Sequence, residues 1–198
     1  MADWNTHLAI AKRYMEKHPG EIVDEGAFYQ GSLAPDMASS DLLNSDNSHY
    51  GNQPPPKEAN AFQRSITKVD LGKFLSLNDV TCDYSRGFFL HLVADFLFFT
   101  EFFDGEYLKT RNDSEFASDL YVGYIALFDE TAKRYNLKSI EQSKHTNKSG
   151  IQEILDLRLS MINYNYTPKP IFTLDEICNF IEQISDKKIA DYISKYKK

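Results

Sequence analysis

One of the most apolar stretches of the chain contains two polar side chains that can do chemistry. The segment GFFLHLVADFLFF, residues 87–99, carries His91 and Asp95 four positions apart. Residues at this spacing lie on the same face of a helix, and a buried carboxylate is costly unless it is paired or bound to a metal. Zinc accepts both ligand types. The pair predicts a metal site or a structural His–Asp hydrogen bond, and taken alone it favours the hydrogen bond.

Three further residues favour the metal interpretation. His7 lies in WNTHLAIA, Asp36 in GSLAPDM and His49 in SDNSHYGN. Together with His91 and Asp95 they supply three histidines and two aspartates from four separate segments. Metal sites in helical bundles are built from ligands that several elements direct inward, and dinuclear sites of this kind assist hydrolysis. We therefore expect the five side chains to converge.

Eight helices are predicted to position these residues. Apolar periodicity, caps and breakers place them at residues 4–18, 21–31, 68–77, 83–103, 114–135, 151–160, 173–184 and 185–196. The expected N-caps are Asn5 or Thr6 for the first helix and Asp83, Ser114, Thr173 and Ser185 for later ones. Gly31 is expected to end the second helix, so that Asp36 falls in the loop SLAPDMASSD, where Pro35 disfavours a helix.

The segments between these helices show no convincing strand pattern. Residues 44–60 and 137–150 are predicted to form loops, and residues 163–172 an extended connection. The expected fold class is therefore all-α, a compact multi-helix bundle with long loops. Its 198 residues suit a single domain, with a metal-site half at about 1–104 and a helical half at about 105–198.

Composition limits the classes of function. The net charge of −7 argues against bulk nucleic-acid binding, which depends on neutralising phosphates with basic side chains. It does not exclude a small phosphorylated substrate held by metal ions. Asp95 and His91 interrupt the longest apolar run, so we expect no transmembrane segment, and the N-terminus lacks the apolar core of a signal peptide. A cytoplasmic protein is expected.

Four segments, taken in order, carry a resemblance to a known family. They are WNTHLAIA, FYQGSLAPDM, SHY and GFFLHLVADFLF, which lie within the first 104 residues. In this order they resemble the zinc-dependent phospholipase C family, which is similar to the zinc-dependent single-strand nucleases. The resemblance implies the helical fold of that type. It also implies that His7, Asp36, His49, His91 and Asp95 are metal ligands, that Asp95 bridges two metals, and that Asp36 is a ligand or the base that orients the attacking water.

The second half of the chain departs from the family pattern. The family has a further histidine and an H-x3-E pair, whereas only His145 follows Asp95 here. We therefore expect one or two metals, with a missing ligand supplied by Glu101, Asp104, Asp119 or water. Glu115 and Asp119 form an E-x3-D pair that could replace the H-x3-E pair. The simpler interpretation is a pair of exposed acids that the helix dipole favours near an N-terminus.

The resemblance implies a metal-dependent hydrolase, and a phosphoesterase above all. Zinc would activate water, and the substrate would be a small phosphorylated molecule or a phospholipid head group. Two alternatives remain open. One is a metal-dependent hydrolase with different chemistry on the same scaffold. The other is a non-catalytic helical protein that retains a structural metal or a His–Asp network.

Overall fold

The helical architecture is seen in a computed structural model, which describes residues 3–37, 48–51, 69–102, 112–137, 165, 167 and 171–197. Its seven α-helices are α1 Trp4–Lys17, α2 Glu25–Met37, α3 Leu71–Leu77, α4 Asp83–Leu97, α5 Asp113–Arg134, α6 Leu174–Asp186 and α7 Ile189–Tyr196, and a π-helical turn, Phe98–Phe102, continues α4. No strand occurs within these ranges. The expected all-α fold is thus confirmed. The helix predicted at 151–160 lies outside the described residues, as do 138–150 and most of 44–60 and 163–172.

The second helix is longer than predicted. It continues past Gly31 to Met37 and contains Pro35, so Asp36 lies on a helix and not in a loop. Pro35 removes the N–H group that would bond to the Gly31 carbonyl, and only two residues of the helix follow it. Against that cost stand the packing of α2 on α4, the most extensive helix–helix contact in the described structure, and the burial of Leu33, Pro35 and Asp36. Leu33 packs with Trp4 and Leu8 of α1. Tertiary packing outweighs the local proline signal.

Several predicted caps are also wrong. Asp3, one residue before α1, accepts hydrogen bonds from the backbone N–H groups of Asn5 and Thr6 and is the true cap. Asn112 caps α5 in a reciprocal capping box with Glu115, so Ser114 lies inside the helix. Thr173, in contrast, caps α6 as predicted, again in a capping box. Asp3, Asn112 and Thr173 each place a side-chain oxygen within reach of an orphan N–H group at the start of the helix.

Two other predicted caps have different roles. Asp83 is the first residue of α4, and its carboxylate accepts hydrogen bonds from the backbone N–H groups of Val23 and Asp24. It therefore links the two residues that precede α2 to the start of α4. Ser185 is buried within α6, where its hydroxyl donates to the Ile181 carbonyl. The last helix starts later, at Ile189.

Two glycines allow α2 and α4 to touch through their backbones. A Cβ atom on Gly31 would lie 2.0 Å from the Tyr84 carbonyl oxygen, and one on Gly87 would lie 2.1 Å from the Phe28 carbonyl oxygen. No side chain fits at either position. The close approach brings backbone carbonyls of α2 within reach of side chains on α4.

Helix α1 packs on α6, in the C-terminal part of the chain. After α2 and α4, the next most extensive helix pair is α1 with α6. Arg13 and Lys17 of α1 form ion pairs with Glu182 of α6, at 2.8 and 2.6 Å. Within the described ranges, no helix is both long enough and apolar enough to cross a lipid bilayer.

Candidate metal centre

The five predicted side chains meet at one buried place. His7 comes from α1, Asp36 from the last turn of α2, His49 from the segment 48–51, and His91 and Asp95 from α4. All five residues are at most 8 % exposed. They form two overlapping sets of close ligand atoms, His7 with His91 and Asp95, and Asp36 with His49 and His91. The structure thus brings together the five residues that the sequence analysis predicted as metal ligands.

Four of the ligand atoms lie close together, and the Nε2 atoms of His49 and His91 each face a carboxylate oxygen of both Asp36 and Asp95. His49 Nε2 lies 3.3 Å from His91 Nε2, 3.2 Å from Asp95 Oδ2 and 3.8 Å from Asp36 Oδ1. His91 Nε2 lies 3.5 Å from Asp95 Oδ2 and 3.9 Å from Asp36 Oδ1. Ligands bound about 2.1 Å from a tetrahedral zinc lie roughly 3.4 Å from one another. His49 Nε2, His91 Nε2 and Asp95 Oδ2, which lie 3.2–3.5 Å from one another, therefore have the spacing of three ligands of one zinc-sized cation, and Asp36 Oδ1 lies slightly farther from the two nitrogens.

His7 approaches the same aspartate from the other side. Its Nε2 lies 3.3 Å from Asp95 Oδ1, whereas His49 and His91 face Oδ2. The His7 ring stacks on the His91 ring, with centroids 3.7 Å apart and an interplanar angle of 13°. The two oxygens of Asp95 thus face different histidines. A carboxylate in this position can bridge two metal ions.

Hydrogen bonds at Nδ1, the ring nitrogen that does not face the cluster, orient the imidazoles of His91 and His49. His91 Nδ1 lies 2.8 Å from the carbonyl oxygen of Ser32, on α2. Because a carbonyl can only accept, this nitrogen carries the hydrogen, and Nε2 of the neutral ring keeps its lone pair for the cluster. His49 Nδ1 lies 2.9 Å from the hydroxyl oxygen of Ser48. Such outer hydrogen bonds are usual for histidines that bind metals.

The cluster leaves polar atoms without hydrogen bonds. Among the described residues, Nδ1 of His7 and both oxygens of Asp36 have no hydrogen-bond partner. Leaving buried polar groups unpaired costs about 1–3 kcal/mol each, and more when they are charged. A structural His–Asp hydrogen bond at His91 and Asp95 would leave the Asp36 carboxylate unsatisfied, whereas a cation bound to that carboxylate would satisfy it. The donor set, with three imidazoles and two carboxylates, is one that zinc accepts.

The electrostatics of the cluster favour an ionised Asp95 beside a neutral His7. Burial would raise the pKa of Asp95, but the positive charge facing it, from His91 among others, and hydrogen bonds from His49 and His7 hold that pKa well below its usual range. Burial, and then the charge of His91, lowers the pKa of His7. Burial opposes protonation of His91 as well, but Asp95 and then Asp36 raise its pKa overall.

A tight turn holds His49 in the cluster. Its carbonyl accepts a hydrogen bond from the backbone N–H of Asp70, and the next residue, Tyr50, forms an isolated antiparallel bridge with Val69. Tyr50 has a φ of 63°, which is rare for a bulky residue and costs of order 1–3 kcal/mol. Its ring packs edge-on against Phe74, at 5.0 Å between centroids. The turn is therefore fixed at the position that delivers the histidine.

No family model, curated protein or solved structure significantly matches this chain. The phospholipase C type of fold thus stays a prediction, and the case for a metal centre is geometric. Homologous sequences do not contribute to it.

The acids proposed as extra ligands lie apart from the cluster or outside the described residues. Glu115 belongs to the capping box of α5, while Asp119 is fully buried, so the interpretation of both as exposed acids is wrong for Asp119. Neither belongs to a described set of close ligand atoms, and nor does the exposed Glu101. Asp104 and His145 lie outside the described residues.

Sequence reasoning missed the two groups that orient the histidines. Ser48 could have been found, because a hydroxyl next to a candidate ligand is a plausible partner for its ring. The Ser32 carbonyl could not, because backbone groups leave no trace in residue types. It reaches His91 only through the close contact of α2 with α4.

Proposed function

We propose that this protein is a metal-dependent hydrolase, and specifically a phosphoesterase that uses one or two zinc ions. The observation that carries the proposal is the set His49 Nε2, His91 Nε2 and Asp95 Oδ2, whose separations lie between 3.2 and 3.5 Å, with Asp36 Oδ1 at 3.8 and 3.9 Å from the two nitrogens. The resemblance of the ordered motifs to the zinc-dependent phospholipase C family supports the choice of reaction.

Zinc bound at such a site lowers the pKa of a water ligand and neutralises charge that develops on phosphoryl oxygens. The chain's own residues supply the rest. His91 is held by the Ser32 carbonyl, with its Nε2 lone pair turned toward the cluster. Asp95 remains ionised at neutral pH because the groups facing it keep its pKa low. Together they form an anionic pocket that attracts divalent cations.

Asp36 decides between catalysis and a purely structural site. Its carboxylate makes the longest separations of the set, 3.8 and 3.9 Å from the two imidazole nitrogens. As a fourth ligand it would close the site in the manner of structural zinc centres, whereas as a base it would leave one position for water. We propose the second role, in which Asp36 orients or deprotonates the attacking water.

The proposed substrate is a small phosphorylated molecule or a phospholipid head group. The protein carries a net charge of −7, so its overall field does not attract anions. Binding must therefore depend on local positive charge, which the proposed metals would provide. Bulk nucleic-acid binding does not suit this charge balance.

The test combines metal analysis with hydrolysis assays. Purified protein should contain one to two equivalents of zinc by elemental analysis, and it should hydrolyse chromogenic phosphodiesters or phosphomonoesters until a chelator is added. The Asp36→Asn variant should retain metal and lose turnover. His91→Ala should lose both. His18→Ala is the matched control, because His18 lies at the end of α1, outside the cluster, and contacts the Ser185 carbonyl.

Each outcome separates the hypotheses. If the protein holds no divalent metal and His91→Ala leaves its stability unchanged, the proposal is wrong. If metal is present but no phosphoester is cleaved, the burial of His49, His91, Asp95 and Asp36 favours the alternative, a structural metal. Full activity of Asp36→Asn would exclude its role as a base.

A further inference from the structure

A hydrogen-bonded chain of four groups runs through the cluster. Ser48 Oγ lies 2.9 Å from His49 Nδ1, His49 Nε2 lies 3.3 Å from His91 Nε2, and His91 Nδ1 lies 2.8 Å from the Ser32 carbonyl oxygen. Both imidazoles are at most 1 % exposed. Two rings and two outer partners are therefore linked from the segment 48–51 to α2.

The carbonyl end of this chain fixes the direction of every bond while both rings are uncharged. Ser32 can only accept there, so His91 Nδ1 donates and His91 Nε2 must accept. His49 Nε2 then carries a hydrogen, which it shares between His91 Nε2 and Asp95 Oδ2, since both of these atoms can only accept. Since a neutral imidazole has one N–H group, His49 Nδ1 must accept, and the Ser48 hydroxyl donates to it.

Metal binding through Nε2 requires His49 to adopt its other neutral tautomer, whereas His91 needs no such change. His91 already presents a bare Nε2, but His49 Nε2 carries the hydrogen that a metal would have to displace. In the metal-bound tautomer this hydrogen is on Nδ1. The His49 ring has one N–H group both without and with the metal, so its net number of protons does not change. The new Nδ1–H then needs an acceptor at the place where it previously faced a donor.

We propose that the Ser48 hydroxyl is a positioning group that reverses its hydrogen bond when His49 binds a metal. A hydroxyl can donate in one state and accept in the other by rotating about its C–O bond. A carbonyl, as at His91, can only accept, and an ammonium group can only donate. The inference rests on the proposed metal site, and it explains how the same residues can form a hydrogen-bonded network without metal and a ligand set with it.

The experiment compares Ser48→Ala and Ser48→Thr with the unsubstituted protein. Zinc affinity is measured by competition with a chromophoric chelator, and the tautomer of His49 is measured by long-range ¹H–¹⁵N NMR at alkaline pH, with and without zinc. We expect the Nε2–H tautomer without zinc and the Nδ1–H tautomer with it. Ser48→Ala should fold normally and bind zinc about 10–100-fold more weakly. Ser48→Thr, which restores the hydroxyl, should recover most of the affinity.

The control is Ser76→Ala, which removes a hydroxyl that donates to the Lys73 carbonyl on α3. It should bind zinc as the unsubstituted protein does. Unchanged zinc affinity in Ser48→Ala, or a His49 that is already in the Nδ1–H form without zinc, would overturn the inference and leave the proposed function standing. Absence of zinc binding in the unsubstituted protein would overturn both.

Discussion

His7 and His91 stack face to face, although they come from different helices and lie 84 positions apart (91 − 7). The contact places two ionisable rings together in a buried site. Burial and the charge of His91 lower the pKa of His7, whereas Asp95 and Asp36 raise the pKa of His91 against the effect of burial. The contributions of the two rings to the stability of the fold therefore change with pH in opposite directions.

This opposition predicts that the metal-free protein is most stable near pH 6.5. Because the folded pKa of His7 is lowered, its contribution to stability is complete above the unfolded value of 6.5 and is lost as pH falls below it. Because the folded pKa of His91 is raised, its contribution is present below 6.5 and is lost as pH rises through the folded value. Urea unfolding from about pH 5 to about pH 9 in the presence of chelator measures both effects.

Matched substitutions separate the two rings. His7→Phe keeps an aromatic stacking partner and should flatten the acid side of the profile only. His91→Phe should flatten the alkaline side, and it should reduce the slope on the acid side only in part, because burial still lowers the pKa of His7 when the charge of His91 is gone. A profile that keeps both slopes in either variant would show that other groups control the pH dependence.

Gly87→Ala should destabilise the protein and weaken metal binding. The added Cβ would lie 2.1 Å from the Phe28 carbonyl oxygen, and overpacking of this kind costs about 1–3 kcal/mol or more. Separation of α4 from α2 would also stretch the bond between His91 and the Ser32 carbonyl. Denaturant unfolding and zinc titration measure the two effects.

Gly72→Ala is the matched control for this experiment. A Cβ there lies 3.5 Å from its nearest neighbour, in ordinary contact, so the change should be neutral or stabilise the protein by up to about 1 kcal/mol. Equal effects of the two substitutions would contradict the importance of the backbone contact between α2 and α4.

The ion pairs between α1 and α6 predict a stability change in acid. Hydrogen bonds from Arg13 outweigh burial and, with Lys17, lower the pKa of Glu182 to about 2. Its contribution is therefore complete above the unfolded value of 4.5 and is lost as pH falls toward 2. Since Glu182 is partly exposed, solvent screening limits the cost of Glu182→Gln at neutral pH to about 0.5–1 kcal/mol.

Thermal or urea unfolding at neutral pH and near pH 2 tests this assignment. The difference between Glu182→Gln and the unsubstituted protein should disappear at the lower pH. Asp129→Asn, which neutralises an exposed acid on α5, is the control and should show a smaller difference at neutral pH. A difference that persists in strong acid would argue for a packing effect of Glu182.

Zinc should stabilise the protein by mass action. Free zinc at 100 times its dissociation constant raises the free energy of unfolding by about 2.7 kcal/mol if the unfolded chain does not bind it. The increase should be absent in His91→Ala and unchanged in His18→Ala. Calorimetry with chelator and with added zinc measures it, and equal melting temperatures under both conditions would contradict a specific site.

The sequence allowed some elements of the fold to be predicted and not others. The boundaries of α1 and the cap of α6 depend on local signals, a run of periodic apolar residues and the Thr173 capping box. The continuation of α2 through Pro35 depends on its packing against α4, which lies some 50 residues away in sequence. A local proline signal cannot anticipate a tertiary contact of this kind.

The candidate site follows the same division. His91 and Asp95 could be paired from their spacing alone, because one helical turn fixes their geometry. The prediction that His7, Asp36 and His49 join them rested on the order of the motifs, because no local rule connects these residues. The stacking of His7 on His91, and the burial of Asp119, arise from the arrangement of helices and have no counterpart in residue spacing.

The position of α1 between the cluster and α6 has a consequence for the growing chain. His7 leaves the ribosome first of the five cluster residues, yet the helix against which α1 packs most extensively, Leu174–Asp186, is made only after all five. The pairing of α2 with α4 needs only the chain up to Leu97. During synthesis, Asp36, His91 and Asp95 can therefore assemble while His7 still awaits the C-terminal helices that hold α1 in place.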